Sequence, residues 1–194
     1  MSSRTSTPSP ARTLSRDQIV AAGVRIADAE GLEGVSMRRV ASDLDAGVMS
    51  LYRHVKDKDE LLAQMTAAIV ETAPYPEPAP TEWREAVRLA ATLDWAIYRD
   101  HPWMILTVSS PRYYSDTRCL DWMVAALRPI TTDATLARSL TLTLWSFVQG
   151  MSLHRMDAAA RDIRPDFTPT EEDFAIGLEA VMDGMVSASR ATHS

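Results

Sequence analysis

The sequence predicts an all-α protein built in two parts, and three observations carry that expectation. Apolar residues recur at helical steps of three and four along most of the chain, and no alternating apolar and polar run marks a strand. Two capping signals, Ser15 with Gln18 and Asp57 with Glu60, each set a helix-starting side chain three residues before one that can reach back to it. Pro74, Pro76, Pro78 and Pro80 keep residues 74–80 out of any helix, because proline has no amide donor and fixes its own φ. The expected boundaries are a loose polar arm at 1–13, a first helical unit at 14–73, a Pro-rich linker at 74–80 and a second helical unit at 81–194.

Within the first unit, a helix from Ser15 buries Ile19, Ala22, Gly23 and Ile26 and stops at Gly31. A second, after Ser36, turns Met37, Val40, Ala41 and Leu44 inward. Asp45, Ala46 and Gly47 form a break short enough to send the next helix across the second at a steep angle. That third helix puts Val48, Leu51 and Val55 on one face with Tyr52 at its edge, which leaves Met49, Ser50, Arg53 and His54 outward. The fourth runs from the Asp57 cap through Leu61, Leu62, Met65 and Ile69 to about Ala73.

In the second unit, a helix over about 81–99 buries Trp83, Val87, Ala90 and Ile97 and ends at His101, Pro102 and Trp103. A short apolar piece, 104–108, leads to the break at Pro111, and 115–128 carries Leu120, Met123, Val124 and Leu127 inward. The stretch 132–156 is apolar almost all round: Leu136, Leu140, Leu144, Phe147 and Met151 share one side, with Leu142 and Trp145 roughly opposite. A helix with two apolar sides needs cover on both, and a partner subunit is the expected cover. The last helix, about 170–189, aligns Phe174, Gly177, Leu178, Val181, Gly184 and Met185.

Composition narrows the function classes. One cysteine, Cys119, excludes an internal disulfide framework or a thiolate zinc cage. No apolar run approaches the roughly 20 residues that cross a bilayer, and the first dozen residues have no apolar core of a secretory signal, so a cytoplasmic location is expected. The net charge of -6 opposes nucleic-acid binding at first sight, but its distribution does not. Residues 36–58 hold Arg38, Arg39, Arg53, Lys56 and Lys58 against Asp43, Asp45 and Asp57, whereas residues 74–194 hold 11 basic and 16 acidic side chains. His54, His101, His154 and His193 show no metal-ligand spacing, and no nucleophile motif or phosphate-cradling glycine loop is present, so no metal, cofactor or catalytic residue is expected.

The run GLEGVSMRRVASDLDAGVMSLYRHVKDKDELL, residues 31–62, resembles the helix-turn-helix of the tetracycline-repressor (TetR) family, and the likeness extends over about 14–69 without a gap. The resemblance implies a three-helix DNA-binding head followed by a helical domain that binds a ligand and dimerises. It implies that Val48, Met49, Ser50 and Arg53 approach base edges, while Ser36, Arg38, Tyr52, His54 and Lys58 mostly hold phosphates. Residue chemistry is compatible: an arginine grips guanine through paired donors and a methionine packs on a thymine methyl, while hydroxyl, imidazole and ammonium groups hold the backbone. Taken singly, each of these residues is explained as well by a solvated surface. Asp45 stands where the family usually has glycine, and Gly47 and Val48 replace polar residues common at the start of the recognition helix.

The expected function is therefore a ligand-responsive regulator: a dimeric repressor on a palindromic operator, released by a small apolar or aromatic effector. An activator with the same head and, at greater distance, a small helical enzyme are the alternatives. Trp95, Tyr98, Trp103, Met104, Trp122, Trp145, Gln149 and His154 are the candidate effector residues, aromatic walls with a few polar groups. Leu136, Leu140, Leu144, Phe147, Phe174, Leu178, Val181 and Met185 are the candidate dimer contacts, as a four-helix bundle across a two-fold axis.

Overall fold

The computed structural model describes residues 14–72, 75–161 and 168–191; the expected arm at 1–13 lies outside them, as do residues 73 and 74, where the first unit is expected to end. Among the described residues there are nine helices and no strand. The head consists of α1 (Arg16–Gly34), α2 (Met37–Asp43), α3 (Val48–Leu51) and α4 (Lys58–Thr72), and the body of α5 (Trp83–Asp100), α6 (Met104–Val108), α7 (Arg118–Ala126), α8 (Ala134–Arg161) and α9 (Glu171–Ala191). Residues 75–82 between them are non-helical.

Local chemistry fixes the head. Ser15 and Gln18 form the reciprocal cap of α1, each side chain accepting from the other's backbone amide. Gly31 takes φ 72°, a left-handed conformation that breaks the helical path. Ser36 caps α2 by accepting from the Arg39 amide. Asp45 adopts φ 49°, so an aspartate fills the left-handed turn position. At α4 the cap departs from the expected reciprocal form: Asp57 accepts from the Glu60 amide, but Glu60 reaches past Asp57 to accept from the Lys56 amide at 2.6 Å. The two carboxylates thus tie down both sides of the turn that follows α3.

The helices of the head close around Ile19, Ala22, Ile26, Val35, Val40, Leu51, Val55, Leu61 and Met65, all at most 2% exposed, so they form its sealed centre. Gly23 lets α1 cross α4 closely, since a Cβ there would sit 2.7 Å from the Met65 sulfur. In the body, α8 packs against α5, α6, α7 and α9, and α9 also lies on α5. Stacked rings of Trp95, Phe174 and Phe147 form the α5–α9–α8 seam, with centroids 4.5 and 5.6 Å apart. Arg84 and Arg88 of α5 bridge to Glu179 and Asp183 along its edge. Helix α7 is shorter than the predicted 115–128: Asp116 accepts from the Arg118 amide and holds the preceding turn open.

The α3 turn offers a direct test of which side chains hold the head. Leu51→Ala, at a fully buried position, is expected to cost about 2–5 kcal/mol, whereas Met49→Ala, at a site 78% exposed, should stay within about 0.5 kcal/mol. Urea unfolding of both variants measures the difference.

Candidate nucleic-acid interface and ligand cavity

Helix α3 is a single turn, prolonged by hydrogen bonds from the His54 and Val55 amides to the Leu51 carbonyl at 2.8 and 3.0 Å. Its underside is sealed, with Leu51 and Val55 at 0% and 1% exposure, while its outer side presents Met49 at 78% and Tyr52 at 46%. Arg53 is exposed and donates to the Ser50 hydroxyl at 3.2 Å, which stiffens both side chains on the outer side. Ser50 and His54 are partly exposed, and Val48 is partly buried against the head's core. Arg16, which the sequence reading did not single out, donates from Nε to the His54 carbonyl and ties the start of α1 to the end of this turn. Only a contact 38 residues apart identifies it.

Charge around the turn is sorted by pairing. Arg39 is held by Glu30 at 2.7 Å and by Asp43 at 3.8 Å, and Asp43 also takes Arg25 at 2.6 Å. These acids are occupied by neighbouring arginines, which leaves Arg38, Arg53 and Lys56 exposed without an ion pair among the described residues. Ser36 remains exposed although its hydroxyl serves as the α2 cap. The Lys58 ammonium donates to the Leu32 carbonyl at the end of α1, 3.2 Å away.

A cavity of about 190 Å³ lies inside the body, lined by Asp94, Ile97 and Tyr98 of α5, Met104 and Val108 of α6, Tyr114, Cys119 and Leu120 before and within α7, Trp145 and Gln149 of α8, and Val70 and Tyr75 from the head side. A more open chamber of about 270 Å³ adjoins it, sharing Val70, Tyr75, Tyr114, Asp116 and Cys119 and adding Glu71, Glu77, Arg118 and Trp122. Of the candidate effector residues, Tyr98, Met104, Trp145 and Gln149 line the inner chamber and Trp122 the outer one. Trp95 is elsewhere, buried in the α5–α9 seam with its indole N–H on Glu171. Trp103 is buried at the head–body junction, and His154 is exposed on α8, so neither lines a chamber.

Asp94 is the chemically unusual group of the cavity, and a solitary carboxylate inside an apolar heptad gave no signal in the sequence. Both its oxygens accept from the Tyr75 hydroxyl, at 3.1 and 3.0 Å, and no base lies within the inner lining. Burial pushes its carboxyl up to about 7, the Tyr75 hydrogen bond pulling back only in part. Burial likewise raises Tyr75, Tyr98 and Cys119, which keeps them protonated.

Two polar clasps join head and body. Asp28 of α1 accepts from the Trp103 indole N–H at 2.7 Å and faces His101 Nδ1 at 2.8 Å. Asp59 of α4, next to Lys58, pairs with Arg112 and accepts from the Tyr113 hydroxyl. The second clasp belongs to the same loop that supplies Tyr114 to the cavity.

Most of the expected dimer contacts are buried within the single chain. Leu140, Leu144, Phe174, Leu178 and Met185 are all at most 7% exposed within the single chain, and Leu136, Phe147 and Val181 pack on the same core. That side of α8 and α9 packs within the body, with Leu136, Phe147 and Val181 left partly exposed. The large apolar side chains left exposed on these helices are Leu142, Leu153 and Ile176.

A recognition turn displayed by a small helical head, joined to a helical body with a cavity, is the construction of a helix-turn-helix regulator. Residues 19–65 match the family profile described as bacterial regulatory proteins, tetR family. A relative, the HTH-type transcriptional repressor DrrR1 of Streptomyces coeruleorubidus, is 36% identical over 167 residues, covering 84% of this chain and 61% of its own length. The chain thus spans under two thirds of that relative. Among solved structures, the Streptomyces coelicolor TetR family protein ActR in complex with actinorhodin has a TM-score of 0.70 at 25% identity, covering 91% of this chain and 97% of that one. BioQ of Mycobacterium smegmatis has a TM-score of 0.74 at 25% identity, covering 90% of this chain and 99% of that one. No helix among the described residues is long and apolar enough to cross a membrane.

The position of Asp94 sets a pH dependence. Its carboxyl rises from 3.8 to about 7 on folding, so the folded state holds the extra proton between those values and stability falls as pH increases through that range. Asp94→Asn retains an acceptor for Tyr75 and removes the ionisation, so it should raise the melting temperature at about pH 8 and much less at about pH 5, with an upper limit of roughly 4 kcal/mol. Calorimetry at both pH values checks the sign.

Proposed function

We propose that the chain is a cytoplasmic transcriptional repressor without enzymatic activity, binding operator DNA as a homodimer through α3 and releasing it when a small molecule occupies the body cavity. The observation that carries this reading is the two-sided α3 turn, Leu51 and Val55 sealed below and Met49, Tyr52 and Arg53 presented above, within a domain of the tetR family. The repressor name of the Streptomyces coeruleorubidus relative and the actinorhodin complex of ActR support it.

A B-DNA major groove, about 12 Å wide, admits one such element. Arg53 and Met49 are then the base readers, with Ser50 steering the guanidinium and Val48 reaching only through its exposed edge. Ser36, Arg38, Tyr52 and His54 hold phosphates, and Lys58 joins them after leaving the Leu32 carbonyl. Dimer contact falls on the outward faces of α8 and α9 around Leu142, Leu153 and Ile176, and sets two recognition turns about 34–36 Å apart for a near-palindromic site.

Release is a matter of spacing. A ligand between Tyr114, Trp145 and Val70 bears on the 109–117 loop and on α4 together, and the Asp59 clasp passes that displacement to the start of α4. Converting a 99:1 population to 1:99 requires about 5.5 kcal/mol of preference for the released state.

Selection of bound fragments from random DNA is expected to return an inverted repeat. Arg53→Ala should lose about 1–3 kcal/mol of discrimination between matched and scrambled sites, whereas Arg38→Ala should weaken both alike and lower the salt slope by about one. Gel shifts at several salt concentrations measure both; equal losses on the two DNAs for Arg53→Ala would remove it as a base reader, and salt-independent retention would remove the DNA reading altogether.

A further inference from the structure

The ligand class of the cavity follows from its charge. We infer that the inner chamber takes an aromatic organic cation, a flat ring system bearing a protonated or quaternary nitrogen set against the Asp94 carboxylate. The inference rests on the reading of this cavity as the effector site.

Tyr75, Tyr98, Tyr114 and Trp145 supply π faces, and Met104 adds a polarisable apolar surface. Such faces attract positive charge and stack on flat rings. Asp94 stands among them with a tyrosine hydroxyl as its hydrogen-bond donor and no lysine, arginine or histidine in the inner lining. Its side chain keeps partial exposure because it opens into the chamber. The approach is acidic as well: the outer chamber adds Glu71 and Glu77, while Asp116 and the outer chamber's single base, Arg118, pair with each other at 2.5 Å.

Three ligand classes then separate physically. An anion entering this space meets Glu71 and Glu77 at the mouth and Asp94 at the end, and no free base receives it. A neutral aromatic ligand expels water from around Asp94 and forces the carboxyl to take up a proton, which costs affinity above neutral pH. A cation replaces the lost hydration of the carboxylate with an ionic hydrogen bond and places its ring between the aromatic walls. Only the third gains from the carboxylate and the aromatic walls together.

Three tricyclic probes of similar size test the assignment: proflavine as the cation, acridone as the neutral ring and anthraquinone-2-carboxylate as the anion. Calorimetric titration of the full-length protein without DNA, at about pH 8 where Asp94 is ionised, should rank them cation first and anion last. Asp94→Asn should weaken proflavine roughly 10- to 100-fold, the range for loss of one hydrogen bond to a charged group, and leave acridone unchanged or tighter. Absence of proflavine binding, equal binding of the three probes, or a proflavine affinity indifferent to Asp94→Asn overturns the cation assignment. The ranking in the unmodified protein decides the matter if the variant does not fold. Operator retention measured alongside separates the two levels: Asp94-dependent proflavine binding that leaves operator affinity untouched upholds the ligand class and refutes the effector role of the cavity.

Discussion

Everything the head presents depends on the burial of Leu51 and Val55 beneath a helix of one turn. An isolated turn of that length is unstable in water, because nucleation fixes several residues for a single hydrogen bond. Here tertiary burial supplies the stability, and the flanking caps supply the orientation: Asp45 in its left-handed turn on one side, Asp57 and Glu60 on the other. Among the described residues the outer side chains bond only to one another, Arg53 to the Ser50 hydroxyl, and take no part in the core beneath, which is the condition for using them as a reading surface.

The body solves a different problem. Its aromatic residues divide between sealed packing and cavity lining according to which elements meet around them, and hydrophobicity does not distinguish the two. Trp95 stacks on Phe174 and gives its N–H to Glu171; Trp145, of the same chemistry, lies beside a chamber. Asp94, half-buried at the cavity wall, is the counterpart of the buried leucines in the head. Apolar burial seals the centre of the head, whereas in the body a polar group is lodged among aromatic side chains beside a cavity. Head and body meet through Asp28 and Asp59, two carboxylates that collect donors from the far side of the junction.

Much of this was legible in the sequence, and for a physical reason. Helix positions, caps and the two-faced third helix are local: they arise from steps of three and four and from side chains within a turn of the backbone they bond. Ser15 with Gln18, Ser36 before α2 and the outward Met49 and Arg53 are read directly from neighbouring letters. The cap at Glu60 differs in its acceptor by one residue, a choice of backbone path that side-chain spacing does not encode.

What only the tertiary structure decided is which of two apolar faces is already covered. The stripe through Leu140, Leu144, Leu178 and Met185 has the same character whether it meets a neighbouring helix of its own chain or a second copy, because the hydrophobic effect is non-directional; in the folded chain it meets α5, α8 and α9. Long-range polar partners were hidden for the same reason. Lys58 to Leu32, Trp103 to Asp28 and Tyr75 to Asp94 join residues 19 to 75 positions apart. The sequence by itself determined the elements and the side chains each displays; three-dimensional packing determined which of those displays remain open, since occupancy of a face is a property of its neighbours.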